Sequence, residues 1–383
     1  MKKYGVFLVL MLQSCVLVLA TLLCVLPVSC RMSEEGVTVY DGDYSAPVIE
    51  SIEVLDEKTV QMNFSEGVKI GSVVVSKFIG GISDSILHSD TEKVSDAIEA
   101  AGGEFGRLEV EAEVSEDGHT VTYTMQEECE VGEPYELYGT VEDETGNSLT
   151  FCVPFTGYNS RVPDLIFTEV QIKYAKGSEK GNTVYRGEFV ELLALSDGNL
   201  GGLELAGGAD GESKKYDFPA VEVSQGEIIL VHLRTVGEGC VNELGENLDE
   251  ATAPFSVNGV RDLWSENTTA RFNDDSDVIV LRNSATDTVL EAFMYAVEEA
   301  TEWKKGPAAL AKEAVSAGIY ETEGTENAAI NYKTTAKKSF IRLDAAQILS
   351  DVLEGNDYED PVKQSAENWE VGTVTPGTLA TGN

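Results

Sequence analysis

The feature that most constrains this chain is strict alternation. Leu108, Val110, Ala112 and Val114 alternate with Glu109, Glu111, Glu113 and Ser115; after Asp117-Gly118, Val121, Tyr123 and Met125 alternate with Thr122 and Thr124. A period of two places apolar side chains on one face of an extended strand and polar ones on the other. The Asp-Gly pair supplies the turn, because glycine accepts a positive φ. The same pattern joins Ile52 and Val54 to Val60, Met62 and Phe64 through Asp56-Glu57-Lys58. It also joins Tyr135, Leu137 and Val141 to Leu149, Phe151, Val153 and Phe155 through Thr145-Gly146-Asn147. Short strands at this spacing predict an antiparallel sandwich. Residues 68–104 carry no clear period, and Asp96 to Ala101 reads as a short helix in a loop or crossover. From Leu165 the pattern changes: Leu165-Ile166-Phe167, Phe189 to Leu193, Ile228 to Val231, Val278 to Leu281 and Val289 to Tyr295 run nearly continuously apolar. Such runs suit strands covered on both faces. Pro307 and the alanines of Gly306 to Val315 predict a short helix. The expected fold class is all-β, two antiparallel β-sandwich domains in tandem with a short helix in an insertion of the second.

Composition enters as an exclusion. The 383 residues carry 27 Lys+Arg against 67 Asp+Glu, a net charge of -40. Residues 46–158 hold 5 basic and 24 acidic side chains, and residues 163–383 hold 18 and 39. Neither half has the cationic stripe that phosphate binding requires, so nucleic acid is excluded as a partner. Yet 42% of residues are hydrophobic, a globular figure.

The N-terminus reads as an address. Lys2 and Lys3 precede an apolar run from Tyr4 to Val28, and acid begins at Glu34. That is the layout of a secretory signal, residues 1–29, although the run is also long enough to span a bilayer. Leu26-Pro27-Val28-Ser29-Cys30 resembles a bacterial lipobox, which implies lipidation of Cys30 and removal of the preceding residues. An uncleaved anchor or plain secretion is the alternative. Residues 30–45 are polar and without period and read as a tether. A chain this acidic would meet a membrane through acyl chains on Cys30 rather than through a charged patch.

Two stretches carry family resemblances. Ala46-Pro47, Ile52-Glu53-Val54 and Thr59 to Glu66, with Tyr135-Glu136-Leu137 and Asp143 to Asn147, resemble bacterial Ig-like domains of cell-surface proteins over residues 46–158. That family implies a spacer or presentation module with no catalytic residues. Residues 159–162 then form the linker. Ile166 to Val170, Gly187 to Leu192, Leu200 to Leu205, Tyr216 to Pro219 with Val223 to Glu227, Asn273 to Arg282, and finally Ser339 to Leu343 with Asn368-Trp369 and Thr375-Pro376-Gly377 resemble, in order, the pieces of the lamin tail domain. This implies an Ig-like sandwich over residues 163–383. Two stretches depart from a compact copy, near 236–262 and 296–338. Insertions in sandwiches belong to surface loops, where a special function would sit.

The candidate chemistry is thin. Glu188 and Glu191, three apart on a strand, face opposite sides and read as a solvated residue and a turn contact rather than a catalytic pair. Asp274, Asp275 and Asp277 could offer oxygens to calcium but lack EF-hand spacing; Asp41, Asp43, Asp143 and Asn147 form similar turns. The expected cofactor is none, with calcium the low alternative. His88, His119 and His232 are far apart, and no nucleophile, phosphate or dinucleotide motif appears. Beyond the proposed lipid site lie Cys129, Cys152 and Cys240. A Cys129–Cys152 bridge is one reading, worth roughly 3 kcal/mol by loop entropy; a buried Cys152 thiol is the other. Trp369 reads as core. Trp303, beside Lys304-Lys305 in the second insertion, is the candidate partner contact, and Trp264 gives no clear signal.

The sequence therefore leads us to expect a non-catalytic, lipid-anchored cell-envelope protein at the outer membrane or cell surface, displaying its two modules for protein or glycan binding or a structural role. The alternative is an envelope hydrolase with its site in the two insertions.

Overall fold

The computed structural model describes residues 45–77, 107–179, 182–208, 215–235, 238–332, 334–356 and 363–380. The signal, Cys30, the tether, Asp41, Asp43, His88 and the stretch 78–106 lie outside the described residues. The fold is all-β, with strands in sandwich-like sheets.

The first sandwich comprises β1 (Ile49–Val54), β2 (Thr59–Phe64), β3 (Lys69–Lys77), β4 (Val110–Val114), β5 (Thr120–Met125), β6 (Pro134–Glu142) and β7 (Ser148–Thr156). One sheet has the order β1-β2-β5-β4 and the other β3-β6-β7, all antiparallel. The alternation maps directly onto burial: Val60, Met62 and Phe64 of β2 and Val121, Tyr123 and Met125 of β5 are buried, with half-buried or exposed polar residues between them. The β4–β5 turn holds Gly118 at φ +79, as the Asp-Gly pair requires.

The second sandwich adds β8 (Leu165–Gln171), β9 (Ala175–Glu179), β10 (Asn182–Arg186), β11 (Phe189–Ala194), β12 (Gly198–Asn199), β13 (Leu203–Gly207), β14 (Tyr216–Asp217), β15 (Glu222–Val223), β16 (Ile228–His232), β17 (Arg261–Trp264), β18 (Asp277–Asn283), β19 (Thr288–Ala296), helix α1 (Lys305–Ser316), β20 (Ala329–Ile330), β21 (Lys338–Arg342), helix α2 (Ala345–Leu353) and β22 (Trp369–Thr373). A six-stranded sheet, β17-β16-β11-β8-β21-β22, faces a five-stranded one, β14-β13-β18-β19-β20. Two pairings depart from the antiparallel expectation. β16 runs parallel to β17, and β19 parallel to β20, because the insertions return to the sheets as added edge strands.

The central strands of both sheets, β8 and β11 in one and β13 and β18 in the other, are buried on both faces. Between them lies the main core, where Phe293, Phe340 and Trp369 pack with ring centroids 4.3 and 5.2 Å apart. Behind the five-stranded sheet, Val278, Val280 and Met294 pack on Ala311 and Ala314 of α1 and on Ile319 and Tyr320. Behind the six-stranded sheet, Ile166 and Leu193 pack on Ala345, Ile348 and Leu349 of α2 and on Leu379, while Phe189 and Leu230 pack on Phe255, Val257, Val260 and Val374. The described parts of the stretches 236–262 and 296–338 thus become covering layers rather than free surface loops. Phe255 takes a left-handed φ of 73, which puts its ring edge-on to Phe189 at 5.4 Å.

The two sandwiches join through close backbone contact. Asn159 Nδ2 donates to the carbonyls of Asn199 at 2.6 Å and Gly201 at 2.8 Å. Gly132, at φ +73, lies against Gly201 and Gly202 so closely that a Cβ there would fall 2.5 Å from the Gly202 nitrogen.

The cysteine bridge does not form: Cys129 and Cys152 are free. Cys129 points into the first core, where burial pushes its thiol up to about 11. On β7 it is Phe151, Val153 and Phe155 that point into that core. Period-two geometry therefore sends Cys152 to the other face, beside Tyr138. After unfolding without reductant, Cys129, Cys152 and Cys240 should all react with a thiol reagent. A count lower by two would show the bridge.

Candidate functional site

Three places collect polar chemistry. The first is the back of the six-stranded sheet. A bulge in the β8–β11 register sets both Thr168 and Glu169 against Glu191. Glu191 accepts from Thr168 Oγ1 at 2.6 Å and from the Gly377 amide at 2.6 Å. Glu169 accepts from the Ser339 hydroxyl and from the Thr375 amide at 3.1 Å. Both carboxyls are 1% exposed. Burial pushes Glu191 up to about 8, with Glu169 adding to the rise against its two donors, and burial raises Glu169 as well. Glu188, also 1% exposed, accepts from the Arg271 and Phe272 amides at 3.0 and 3.1 Å. The expectation of a solvated glutamate at 188 or 191 is corrected: covering the sheet's outer face turns both into internal acceptors. The signal for Glu169 lay in its cross-strand pairing with Glu191, which spacing along the chain does not show.

Farther along the same face, His232 Nε2 meets Asp262 Oδ1 at 2.5 Å, both buried. The imidazole stacks on Trp264 at 3.8 Å and 7°. Burial lowers the His232 pKa against the pull of Asp262, and Nε2 faces an acceptor carboxylate oxygen, so it is the ring nitrogen that carries a proton. Glu243, fully buried, accepts the amides of Glu250, Ala251 and Asp262. The first insertion does bring a His and an Asp together, as a hydrolase site would need. Here the pair fastens the insertion: Nε2 is occupied by Asp262, and neither residue lines the clefts described next.

The second place is a cleft system around Arg282. One cleft of about 210 Å³ runs along Ala206, Gly207 and Gly208 of one sheet and Gly306, Ala309 and Leu310 of α1. Another of about 440 Å³ lies between the sandwiches, with Ile52, Val54, Pro134, Pro154 and Phe155 on one wall and Ser284, Ala285 and Asp287 on the other. Glu204, Lys215 and Arg282 line both. Arg282 bonds Glu204 at 2.8 Å and Glu313 at 2.5 Å.

The third place holds the calcium candidates. Asp274 and Asp275 line a cleft of about 300 Å³ with Lys173, Glu298, Glu299, Asn331 and Tyr332. Asp277 is withdrawn from it. It is fully buried and accepts the amides of Gly208, Asn273 and Val278 at 2.9 Å each. Asp274 pairs with Lys173 at 3.2 Å. A calcium set of Asp274, Asp275 and Asp277 is therefore not assembled, and among the described residues no group of three or more His, Cys, Asp or Glu is placed to hold a metal. Asp143 serves its own turn in the same way: despite burial, which raises it, Asn147 and Thr145 donors hold its carboxyl down at about 2.

Trp303 is half-buried against the α1 layer, and its Nε1 donates to the Glu323 carbonyl at 2.7 Å, so it is not a free aromatic anchor. Trp369 is core, its Nε1 bonded to Gln364 at 3.0 Å. Among the described residues the exposed aromatics are Tyr174 and Tyr332. Cys240 is half-buried against Ala253 and Trp264. Among the described residues no helix is long and apolar enough to cross a membrane. Replacing His232 with Ala leaves Asp262 buried without its charge-assisted partner. The expected cost is about 1.5–3 kcal/mol, seen as earlier urea unfolding and new protease cuts within 238–259.

A family model described as TP_1001_2nd, protein second domain, matches residues 163–371. An uncharacterized protein of Treponema pallidum (strain Nichols) is 27% identical over 222 residues, 56% of this chain and 52% of that protein. The chain thus spans about half the length of that curated relative. Among solved structures, the chain is similar to a DUF4876 family protein from Bacteroides thetaiotaomicron VPI-5482, at 11% identity and TM-score 0.28 over 72% of this chain and 82% of that one. It is also similar to the N-terminal part of the bacterial S-layer protein SbsC, at 15% identity and TM-score 0.23 over 67% of this chain and 45% of that one. The family match covers more than half of the sequence and coincides with the second sandwich, so the chain belongs to the family of the TP_1001_2nd protein second domain.

Proposed function

We propose that this chain is a non-catalytic, lipid-anchored cell-envelope protein at the outer membrane or cell surface, which presents an Ig-like and a lamin-tail-like sandwich and engages a protein or glycan through the cleft between them. The observation that carries this reading is the cleft itself. An apolar wall of Ile52, Val54, Pro134, Pro154 and Phe155 faces a charged wall of Glu204, Lys215, Arg282 and Asp287 across about 440 Å³. Concave, mixed surfaces between domains are where ligands are commonly held. The groups that would serve a hydrolase, His232, Asp262, Glu169, Glu188 and Glu191, are buried and bonded to their own chain. The anchor rests on Lys2-Lys3, the apolar run and the lipobox-like ending at Cys30. The lamin-tail reading rests on the order of the matching strands.

Two experiments test this. Cys30→Ala should abolish acyl labelling and membrane retention; a variant that still labels with palmitate removes the anchor from the account. The soluble ectodomain should capture a ligand from envelope extracts or a glycan array. Ala285→Trp, which fills the cleft from a turn, should weaken that capture at least about tenfold, the loss of ~1.4 kcal/mol. Undiminished capture by a folded Ala285→Trp protein would place binding elsewhere.

A further inference from the structure

The last stretch of described chain, Val374 to Leu379, lies as a strap over the back of the six-stranded sheet. Val374 packs with Phe189 and Leu230, and Leu379 with Ile166, Leu193 and Leu349. Between these apolar anchors the strap's polar contacts go to two carboxyls. The Gly377 amide donates to Glu191 Oε2 at 2.6 Å; the Thr375 amide donates to Glu169 Oε1 at 3.1 Å, and Thr375 Oγ1 lies 3.4 Å from Glu169 Oε2. Glu169 and Glu191 are directly opposed across β8 and β11, where side chains are near neighbours.

We propose that the Glu169–Glu191 pair is a proton-operated latch, which holds the strap against the sheet while the pair keeps a proton and lets it go when both carboxyls are ionised.

The environment supports this from every side. Within the sheet, β8 contributes Thr168 and Glu169, β11 contributes Glu191, and β21 contributes Ser339. β16 places Leu230 opposite Glu191, and its His232, opposite Phe189, is bonded to Asp262. The covering layers bring Phe255, Val257 and Val260 from the insertion, Ala345, Ile348 and Leu349 from α2, and Val374, Thr375, Gly377 and Leu379 from the strap. Arg342 of β21 is directed to Glu291 and Asp344 instead. The charged group that acts on Glu191 is therefore Glu169, and among the described residues no cation is seen to offset a second negative charge. Hydroxyls and amides can satisfy one carboxylate beside one carboxylic acid. Two adjacent carboxylates in a dry site repel, and the pair titrates as a unit.

Burial sets the sign. A glutamate raised from its ordinary 4.5 to about 8 keeps in the closed state a proton that the open state loses. The latch is at full strength below the ordinary value, weakens as pH rises from there, and is lost as pH passes about 8. With one proton released per opening, the opening constant rises about tenfold per pH unit through that window.

Residue-resolved hydrogen exchange on the intact chain from pH 5 to 9, corrected for intrinsic rates, tests this. Protection at Thr375 and Gly377 should fall about tenfold per unit up to about pH 8 and level off above it, while β18 amides keep theirs. Glu191→Gln, whose amide keeps an acceptor for Gly377 and adds a donor for Thr168, should stay closed and flatten the slope. Flat protection in the natural chain, or an undiminished slope in Glu191→Gln, overturns the proposal. Infrared spectroscopy of the natural chain needs no variant. A protonated carboxylic acid band should persist at pH 7 and fade by pH 9; a band already absent at pH 7 overturns the proposal equally.

Discussion

The interaction on which the second sandwich depends is a buried carboxylate accepting backbone amides from the segment that covers it. Covering both faces of both sheets forces irregular chain into the interior, and irregular chain carries amides without strand partners. Glu243 takes three such amides from the first insertion, at residues 250, 251 and 262. Asp277 takes three around the β18 entry, Glu188 takes two from the 271–272 turn, and Glu191 and Glu169 hold the strap. Ionised acceptors are the strong kind, the Glu169–Glu191 pair supplying one beside a protonated carboxyl, and an unmet buried amide is costly. Each carboxylate thereby fixes the path of a layer that strand pairing could not fix.

This recasts the acidity of the chain. Part of the acidity, as at Glu109, Glu111 and Glu113 of the first sandwich, is exposed to solvent. A distinct subset, 169, 188, 191, 243, 262, 277 and 291, is buried and structural. Burial and a displaced proton affinity are often signs of catalysis. Glu169, Glu188, Glu191 and Glu291 carry both signs, raised by burial, yet each is bonded to its own backbone or to a neighbouring side chain and none lines the clefts described above.

Legibility followed the covering of each sheet. In the first sandwich one face is covered, so Val60, Met62 and Phe64, or Val121, Tyr123 and Met125, announce their strands by alternation. In the second, the continuous runs at 189–193 and 278–281 correctly signalled double coverage. Their partners were harder to read. α2 is nine residues long with only Ala345 fully buried. β17 starts within the last two residues of a stretch read as an insertion, and its parallel pairing to β16 is non-local. The short helix in the second insertion was visible from Pro307 and its alanines because its signals are local. The carboxylate pair was not, since Glu169 and Glu191 meet only through the β8–β11 register and its bulge. The sequence left the setting of Trp303 and the choice between bridged and free Cys129 and Cys152 open for the same reason: their chemical type was plain, but facing and burial are set by layers distant in sequence.

The most direct test of this account is the protection of amides that have no strand partner. In native-state hydrogen exchange at pH 6, the amides of Glu250, Ala251, Asp262, Arg271, Phe272 and Asn273 should be protected to within about tenfold of the β11 and β18 amides, a difference of ~1.4 kcal/mol, because buried carboxylates hold them. Exchange of these amides at the rate of an open loop, with the strands still protected, would contradict the claim that carboxylates organise the covering layers.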